Sequence, residues 1–372
     1  MVEQRAPRRL VLQWHITERC NLRCSHCYQG DRPAPELALD ELLLLLDQYD
    51  RLLARLRRNG PVQGHVTVTG GEPFLRRDCL TLLRAVAERG HTIAVLTNGT
   101  LIDDQLAREL RAIGPLFVQV SIDGTPATHD RIRGRGNHAR VACALALLRR
   151  HKLRTLVSFS AHRANYRELP AVVHLAMKHR VPVVWADRVI PWGRGEAFSS
   201  AVLDPHETRE LFRIMAATRQ EVSRRWFCPT RVAMHRGLQF LEGGGRPYRC
   251  SAGRSLLALM PNADLYPCRR LPLPVGNLWH TPLEELYFES PVLLSLRDRR
   301  RVSRGCEGCP HAERCGGGLR CLAYAMKGSP FVALFFASSM MKNTRSLSTL
   351  EYDSSPGKSV SCTSFPVFRF LA

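Results

Sequence analysis

The stretch WHITERCNLRCSHCYQG, Trp14 to Gly30, places three cysteines, Cys20, Cys24 and Cys27, within eight residues. It overlaps VLQWHIT (Val11–Thr17), a β-branched and aromatic run that reads as a strand, so the thiols sit in the loop that follows it. Three thiols are one short of a structural zinc site. A four-iron cluster held by three thiolates would instead keep one iron open for another ligand. Taken alone, the loop also fits a zinc ion completed by His26 or His15. The chain has thirteen cysteines, and seven of the other ten lie beyond residue 249. The N-terminus MVEQRAPRRL has no apolar signal segment, so an odd, clustered set points to metal binding in the cytoplasm rather than to a disulfide framework. Cys79 and Cys143 read as buried core thiols.

Outward from this loop, short β-rich runs alternate with amphipathic helices. The expected strands are 11–17, 65–70, 91–97, 116–123, 154–160 and 182–187, with helices near 36–58, 78–89, 103–113, 140–151 and 166–180. In the first helix Leu39, Leu42, Leu43, Leu46, Tyr49, Leu53 and Leu56 gather mostly on one face. Six such units imply a parallel α/β sheet with right-handed crossovers, either doubly wound or an open partial barrel. Polar motifs mark the strand ends: TGGEP after the second, TNGT after the third, SIDG after the fourth. Barrels place their chemistry at those C-terminal ends. After about residue 195 the alternation stops, and a helix near 205–225 leads into a region rich in Cys, Gly and Pro, where metal is expected to replace a hydrophobic core. From Ala333 onward nine serines and two arginines in forty residues mark an atypical tail.

The chain is 372 residues long with a formal charge of +21, and 49 of its 54 basic residues are Arg, dispersed throughout. No basic run is interleaved with aromatics, so nucleic acid is not an expected partner; the dispersed Arg reads first as the codon bias of a GC-rich genome, and an acidic partner such as a peptide leader is the other reading. No apolar run reaches the length of a membrane span, so no membrane partner is expected.

The C-x3-C-x2-C loop, with His26 before its last cysteine and Tyr28 after it, resembles the signature of the radical S-adenosylmethionine (radical SAM) enzymes. The resemblance extends from Val11 to about Trp192 and implies a partial (β/α)6 TIM-like barrel. It implies that Cys20, Cys24 and Cys27 hold a catalytic [4Fe–4S] cluster whose open iron binds S-adenosylmethionine (SAM). It further implies that Gly70, Gly71, Glu72 and Pro73 hold the methionine ammonium. Thr97, Asn98, Ser121 and Asp123 would line the ribose and carboxylate side. Arg131 and Arg133 in HDRIRG are offered as carboxylate clamps, with Arg131 taken as the contact, and RVIPWGRG (Arg188–Gly195) as the adenine segment. In such enzymes the reduced cluster splits SAM into methionine and a 5′-deoxyadenosyl radical that abstracts a substrate hydrogen.

Cys250-x17-Cys268, then Cys306-x2-Cys309-x5-Cys315-x5-Cys321, resembles the SPASM domain, which binds one or two auxiliary [4Fe–4S] clusters. By that analogy Cys250, Cys268 and Cys321 hold the nearer cluster, and Cys306, Cys309 and Cys315 the outer one. A zinc ribbon is the other reading of Cys306–Cys321. The x5 spacing in CGGGLRC, the isolated Cys228, and a final Cys362 far down the tail depart from the family pattern. The expected organisation is a barrel over 1–195, a helical linker over 196–249, a SPASM domain over 250–330 and an altered tail over 331–372. The resemblance implies an oxidoreductase that matures a peptide or small protein. A reduced flavodoxin or ferredoxin would donate electrons, and a partner protein could grip a leader peptide. Arg269 directly after Cys268 disfavours formylglycine formation, for which an Asp is needed there. The alternatives are a radical SAM enzyme of haem or cofactor synthesis, and a non-enzymatic zinc or iron–sulfur regulator.

Overall fold

The computed structural model describes residues 7–29, 35–225, 229–233 and 250–333. Ten strands form one sheet: β1 (Arg9–His15), β2 (Gln63–Thr69), β3 (Thr92–Thr97), β4 (Phe117–Ser121), β5 (Thr155–Ala161), β6 (Val183–Arg188), β7 (Arg231–Ala233), β8 (Leu256–Leu259), β9 (Asp264–Tyr266) and β10 (Gly276–Asn277). Their order is β10-β9-β8-β1-β2-β3-β4-β5-β6-β7. All pairings from β8 through β1 to β7 are parallel; only β8–β9 and β9–β10 are antiparallel. The order has two free ends, as an open partial barrel requires.

The layering follows from the period of two in each strand. On β1, Leu10, Leu12 and Trp14 are fully buried against the helical layer, while Val11, Gln13 and His15 point to the other face. Helix α1 (Leu39–Arg57) covers β1 with Leu42, Leu45, Leu46, Tyr49, Leu52, Leu53 and Leu56. The Tyr49 hydroxyl donates to the Leu10 carbonyl at 2.7 Å, fixing helix to strand. Helices α2 (Cys79–Glu88), α3 (Asp104–Ile113), α4 (Pro126–Arg133), α5 (Asn137–Arg150), α6 (Leu169–Lys178) and α7 (Pro205–Ser223) follow the successive strands. Helix α7 starts on a capping box in which Asp204 accepts from the Glu207 amide and Glu207 accepts from the Asp204 amide. On the inner face Ala94, Phe117, Leu156, Val183 and Ala233 form a separate small cluster.

Each of the six expected strands is present to within two residues. Short α4 was not anticipated, because a helix opened by Pro126 and closed at Gly134 is too brief for a periodic pattern. In the stretch expected to be a linker, α7 and β7 add a further unit, with β7 parallel to β6 and Leu211, Phe212 and Met215 in the main core. Beyond residue 249, four-residue β8 pairs with β1 from Val11↔Leu256 to Trp14↔Leu259, so the Cys-rich region is anchored on the strand that leads to the first cysteine loop. Short helices α8 (Leu283–Glu289), α9 (Pro291–Arg297), α10 (Ala312–Cys315) and α11 (Arg320–Lys327) complete it. Cys79 is buried in the core, where burial pushes its thiol up to about 12. Cys143 is exposed on α5, contrary to the expectation of a core thiol. A helix position between Ala142 and Ala144 can face either way, and only packing decides. Cys228, Cys362 and the tail lie outside the described residues.

Candidate active site at the barrel mouth

The ends of β1 and β2 stay zipped together beyond the strands. The Ile16 amide donates to Thr69 O at 3.0 Å, Gly71 N to Thr17 O at 2.8 Å and Glu72 N to Arg19 O at 2.9 Å. This closeness is why GGEP begins with two glycines: a β-carbon on Gly70 would lie 2.2 Å from Thr17 O, and one on Gly71 2.1 Å from Arg19 O. Gly70 also has φ +153°, in the region that favours glycine. In this structure their small size serves the contact between two loops, and the cysteine loop is pressed against GGEP before any ligand is considered.

Glu72 follows, fully buried. Its Oε1 accepts from the Thr97 hydroxyl at 2.8 Å and its Oε2 from the Asn98 amide at 2.8 Å, tying the β2 motif to the β3 motif. Burial pushes its carboxyl up to about 7, although the Asn98 amide, the Thr97 hydroxyl and the Phe74 amide pull the other way. Pro73 opens a 3-10 turn immediately after it. Asn98 reaches on to the cysteine loop, its Nδ2 lying 2.9 Å from Asn21 Oδ1 and 3.8 Å from Cys20 Sγ. The Leu22 amide also points at Cys20 Sγ, at 3.4 Å.

Asp123, at the end of the β4 segment, is fully buried and accepts three charge-assisted or amide contacts. These come from His26 Nε2 at 2.8 Å, Arg133 Nε at 2.6 Å and the Ser160 amide at 2.9 Å. Burial alone would raise its pKa, but Arg133 and His26 overcome this and hold the carboxylate far below its usual range. Arg133 Nη1 also lies 3.8 Å from Cys24 Sγ. The two arginines of HDRIRG therefore differ. Arg133 is in the network, whereas Arg131 is exposed and its guanidinium meets Thr128 Oγ1 at 3.3 Å. Helix α4 explains the split, since residues two apart point to different sides of a helix. Ser121 Oγ sits 3.3 Å from Ser158 Oγ on the neighbouring strand.

The segment after β6 closes over the loop from the far side. Gly195 N donates to Cys27 O at 2.7 Å and Arg194 N to Gln29 O at 3.1 Å. A β-carbon at Gly193 would strike Tyr28 O at 2.4 Å. Tyr28 is half-buried beneath Arg269, whose guanidinium lies 5.0 Å from the ring centroid and donates to Tyr28 O at 3.2 Å. Its hydroxyl is within the electrostatic reach of both Cys27 and Cys268. The first cysteine loop and the second cysteine region thus face each other across one tyrosine.

The six cysteines described beyond residue 249 separate into two groups. Cys250, Cys268 and Cys321 pack in one cluster with Val189, Ile190 and Trp192 from the end of the barrel. Cys306, Cys309 and Cys315 lie close enough to influence one another's thiols, and burial, the larger effect, pushes Cys306 up to about 11. The CGGGLRC spacing has a local cause: Gly316, Gly317 and Gly318 take φ of 64°, 88° and 79°. This left-handed run turns two backbone N–H groups toward Cys315 Sγ and passes the chain to α11, which carries Cys321.

The model of the family described as the Radical SAM superfamily matches residues 14–176, the segment that carries the cysteine loop and the GGEP, TNGT and SIDG motifs. Residues 14–176 therefore match a radical SAM domain. Among curated relatives, the chain is 27% identical to the AdoMet-dependent heme synthase of Methanosarcina barkeri, over 87% of this chain and 94% of that protein. It is 25% identical to the PqqA peptide cyclase of Granulibacter bethesdensis, over 84% of this chain and 83% of that one. Among solved structures, native anSMEcpe with bound AdoMet aligns with a TM-score of 0.67 at 19% identity, covering 91% of this chain and 96% of that one.

The residues of this domain fit the [4Fe–4S] cluster and SAM that the matched family implies. The Cys20 sulfur already faces two N–H donors and that of Cys24 faces a guanidinium, the environment that stabilises thiolate ligands. Without metal, burial holds both thiols in the neutral form, and Arg133 opposes this at Cys24. Among the described residues no group of three or more His, Cys, Asp or Glu is gathered closely enough to hold a single ion. A four-iron cluster spreads its ligands over separate irons and does not require that. No helix among the described residues is long and apolar enough to cross a membrane. Sequence reasoning missed the His26–Asp123–Arg133 network, the Arg269 lid on Tyr28, and the bond from Arg270 to Asp187. All three join residues on different elements, and no local pattern announces them.

Proposed function

We propose that this radical SAM enzyme reductively cleaves SAM at the barrel mouth and takes a hydrogen atom from a peptide or small protein during its maturation. The observation that carries this is the packing of Cys250, Cys268 and Cys321 against the exit of β6, opposite the Cys20–Cys27 loop. A substrate there would lie between two redox-capable sites. Cys20, Cys24 and Cys27 hold the catalytic [4Fe–4S] cluster, and cluster and SAM together supply the hydrogen-abstracting chemistry. Gly70, Gly71, Glu72, Pro73, Thr97, Asn98, Ser121 and Asp123 shape the SAM cradle, with Arg131 at its rim. Asp123 holds His26 and Arg133 in place against the cysteine loop.

Residues 250–330 act as a SPASM domain in this proposal: Cys250, Cys268 and Cys321 hold an inner auxiliary [4Fe–4S] cluster, and Cys306, Cys309 and Cys315 ligate an outer one. A cytoplasmic flavodoxin or ferredoxin-type donor supplies electrons, and a separate leader-binding protein delivers the peptide. The similarity to a peptide cyclase over 84% of the chain supports a peptide substrate. A second reading, a radical SAM step in haem synthesis, is favoured by the similarity to a heme synthase over 94% of that protein's length.

The test is dithionite-driven SAM cleavage by anaerobically reconstituted protein, read as 5′-deoxyadenosine by mass spectrometry. Wild type should produce it, and the Cys20/Cys24/Cys27→Ala protein should not. Deuterium passing into 5′-deoxyadenosine from a labelled precursor peptide would support maturation, whereas transfer from a labelled porphyrin would replace it with the second reading. Intact SAM with zinc in the protein would overturn both.

A further inference from the structure

Arg188, the last residue of β6, is a buried cation without an adequate counter-charge. It is 3% exposed. Its Nε and Nη2 have no hydrogen-bond partner among the described residues. Among the described residues the one carboxylate beside it is Asp187, which is already bonded to the Arg270 guanidinium; Arg270 also donates to Arg188 O at 2.8 Å. The three side chains together therefore carry a net positive charge, with Arg188 and Asp187 buried and Arg270 half-buried. Phe212 offers its ring face at 5.5 Å, which is a weak substitute for an anion. A guanidinium so placed is costly to bury unless an anion completes the site.

The surroundings indicate which anion. Arg188 is followed by Val189 and Ile190, which pack in one cluster with Cys268, Cys321 and partly buried Cys250. Burial lowers the Arg188 pKa, and among the groups that raise it again is Cys321. Trp192, in the same cluster, has a buried Nε1 that also lacks an acceptor among the described residues. Two side chains with orphaned N–H groups thus lie at this cluster: Trp192 packs within it, and Arg188 is within electrostatic reach of Cys321. Arg320 makes an instructive contrast. It is equally buried and near Cys250, yet it donates to Gly316 O at 3.2 Å and Leu296 O at 2.9 Å. These Arg320 donors are used by the fold, whereas Nε and Nη2 of Arg188 have no partner among the described residues.

We propose that Arg188 is the built-in counter-charge of the inner auxiliary cluster held by Cys250, Cys268 and Cys321, and that its fixed positive charge raises that cluster's reduction potential. An iron–sulfur cluster bound by thiolates is anionic and gains a further negative charge on reduction, so a nearby buried cation favours the reduced form. Arg188 is a positioning and tuning residue here; it transfers no proton. This rests on the assignment of those three cysteines to a cluster.

The full chain carrying Cys20/Cys24/Cys27→Ala together with Cys306/Cys309/Cys315→Ala isolates the iron of the inner auxiliary cluster. Its iron and sulfide content tests the cluster assignment, and iron-free protein would end both that assignment and this proposal. In that background Arg188→Met and Arg188→Lys are compared by EPR-monitored potentiometry. The expected result is a negative shift for Arg188→Met of about tenfold in the reduction equilibrium, ~59 mV for one electron. Arg188→Lys should stay close to the parent. Loss of auxiliary iron from Arg188→Met with retention in Arg188→Lys would equally show that the charge is required. An unchanged potential in Arg188→Met at full iron content refutes the proposal. So does loss of iron from both variants, because the residue would then be needed for its shape and not its charge.

Discussion

Replacing Gly71 by Ala tests whether the GGEP glycines serve packing between loops. The added carbon would lie 2.1 Å from Arg19 O, 2.6 Å from Arg19 C and 2.7 Å from Glu18 O. All three are backbone atoms, so no side chain can rotate away. Bringing the first contact to 3.0 Å requires the two loops to part by 0.9 Å, the difference between 3.0 and 2.1 Å. That displacement breaks or stretches the Gly71 N to Thr17 O and Glu72 N to Arg19 O bonds, both under 3.0 Å now. Two backbone hydrogen bonds contribute about 0.5–1.5 kcal/mol each, and overpacking adds about 1–3 kcal/mol, so a loss of roughly 2–6 kcal/mol follows if the loops hold their place. If they yield instead, Cys20 moves with Arg19 and the cluster loop loosens. Either way the reconstituted Gly71→Ala protein should show a lower Tm by circular dichroism or less iron per chain. Gly90→Ala is the control: its φ of +75° makes the change mildly strained, but no atom lies within 4 Å of the new carbon. Gly71→Ala with wild-type Tm and iron, but weakened SAM binding, would refute the packing account and restore close approach to the ligand as the reason for the glycine.

Asp123→Asn leaves Arg133 and His26 beside Cys24 and Cys27 without their buried anion, and removing one partner of a buried ion pair costs about 3–5 kcal/mol. Denaturant unfolding should show it, and a change within error would mean that water reaches the site. Glu72 gives a pH signature in SAM-free protein. Its folded pKa of about 7 lies above its ordinary value, so its contribution to stability is fully present below pH ~4.5 and is lost as pH rises through about 7. Glu72→Gln should therefore flatten the fall in Tm over that window; an identical slope would show that Glu72 is already ionised when folded. Arg270→Ala cuts the Asp187 bond and the bond to Arg188 O that join the second cysteine region to β6. Limited proteolysis should then cleave between residues 250 and 333 faster than in the wild type, with the barrel fragment persisting.

How much was legible in the sequence can be judged residue by residue. The alternation from Leu10 to Trp14 against Leu42–Leu56 specified both a strand and its covering helix, because periods of two and 3.6 are local properties of the backbone. Cys20, Cys24 and Cys27 marked a metal-binding loop by their number and spacing, which left zinc and an iron–sulfur cluster both open; the choice of a cluster came from resemblance to a family. The grouping of Cys321 with Cys250 and Cys268, expected from resemblance to a family, has its structural counterpart in one apolar cluster that the spacing alone could not supply.

Other features belong to tertiary structure. Four residues, Leu256–Leu259, became the parallel neighbour of β1 because that edge of the sheet was open, and a short apolar run says nothing about which edge it will join. Arg133 and not Arg131 reached Asp123 because α4 rotated one of them toward the mouth. Cys143 went to the surface and Cys79 to the core for the same reason, helix orientation. Composition and spacing determine which groups are present and which segments form locally. Which charges end up buried together, such as Arg188, Asp187 and Arg270, depends on how those segments pack, since burial and distance fix electrostatic interactions in the interior.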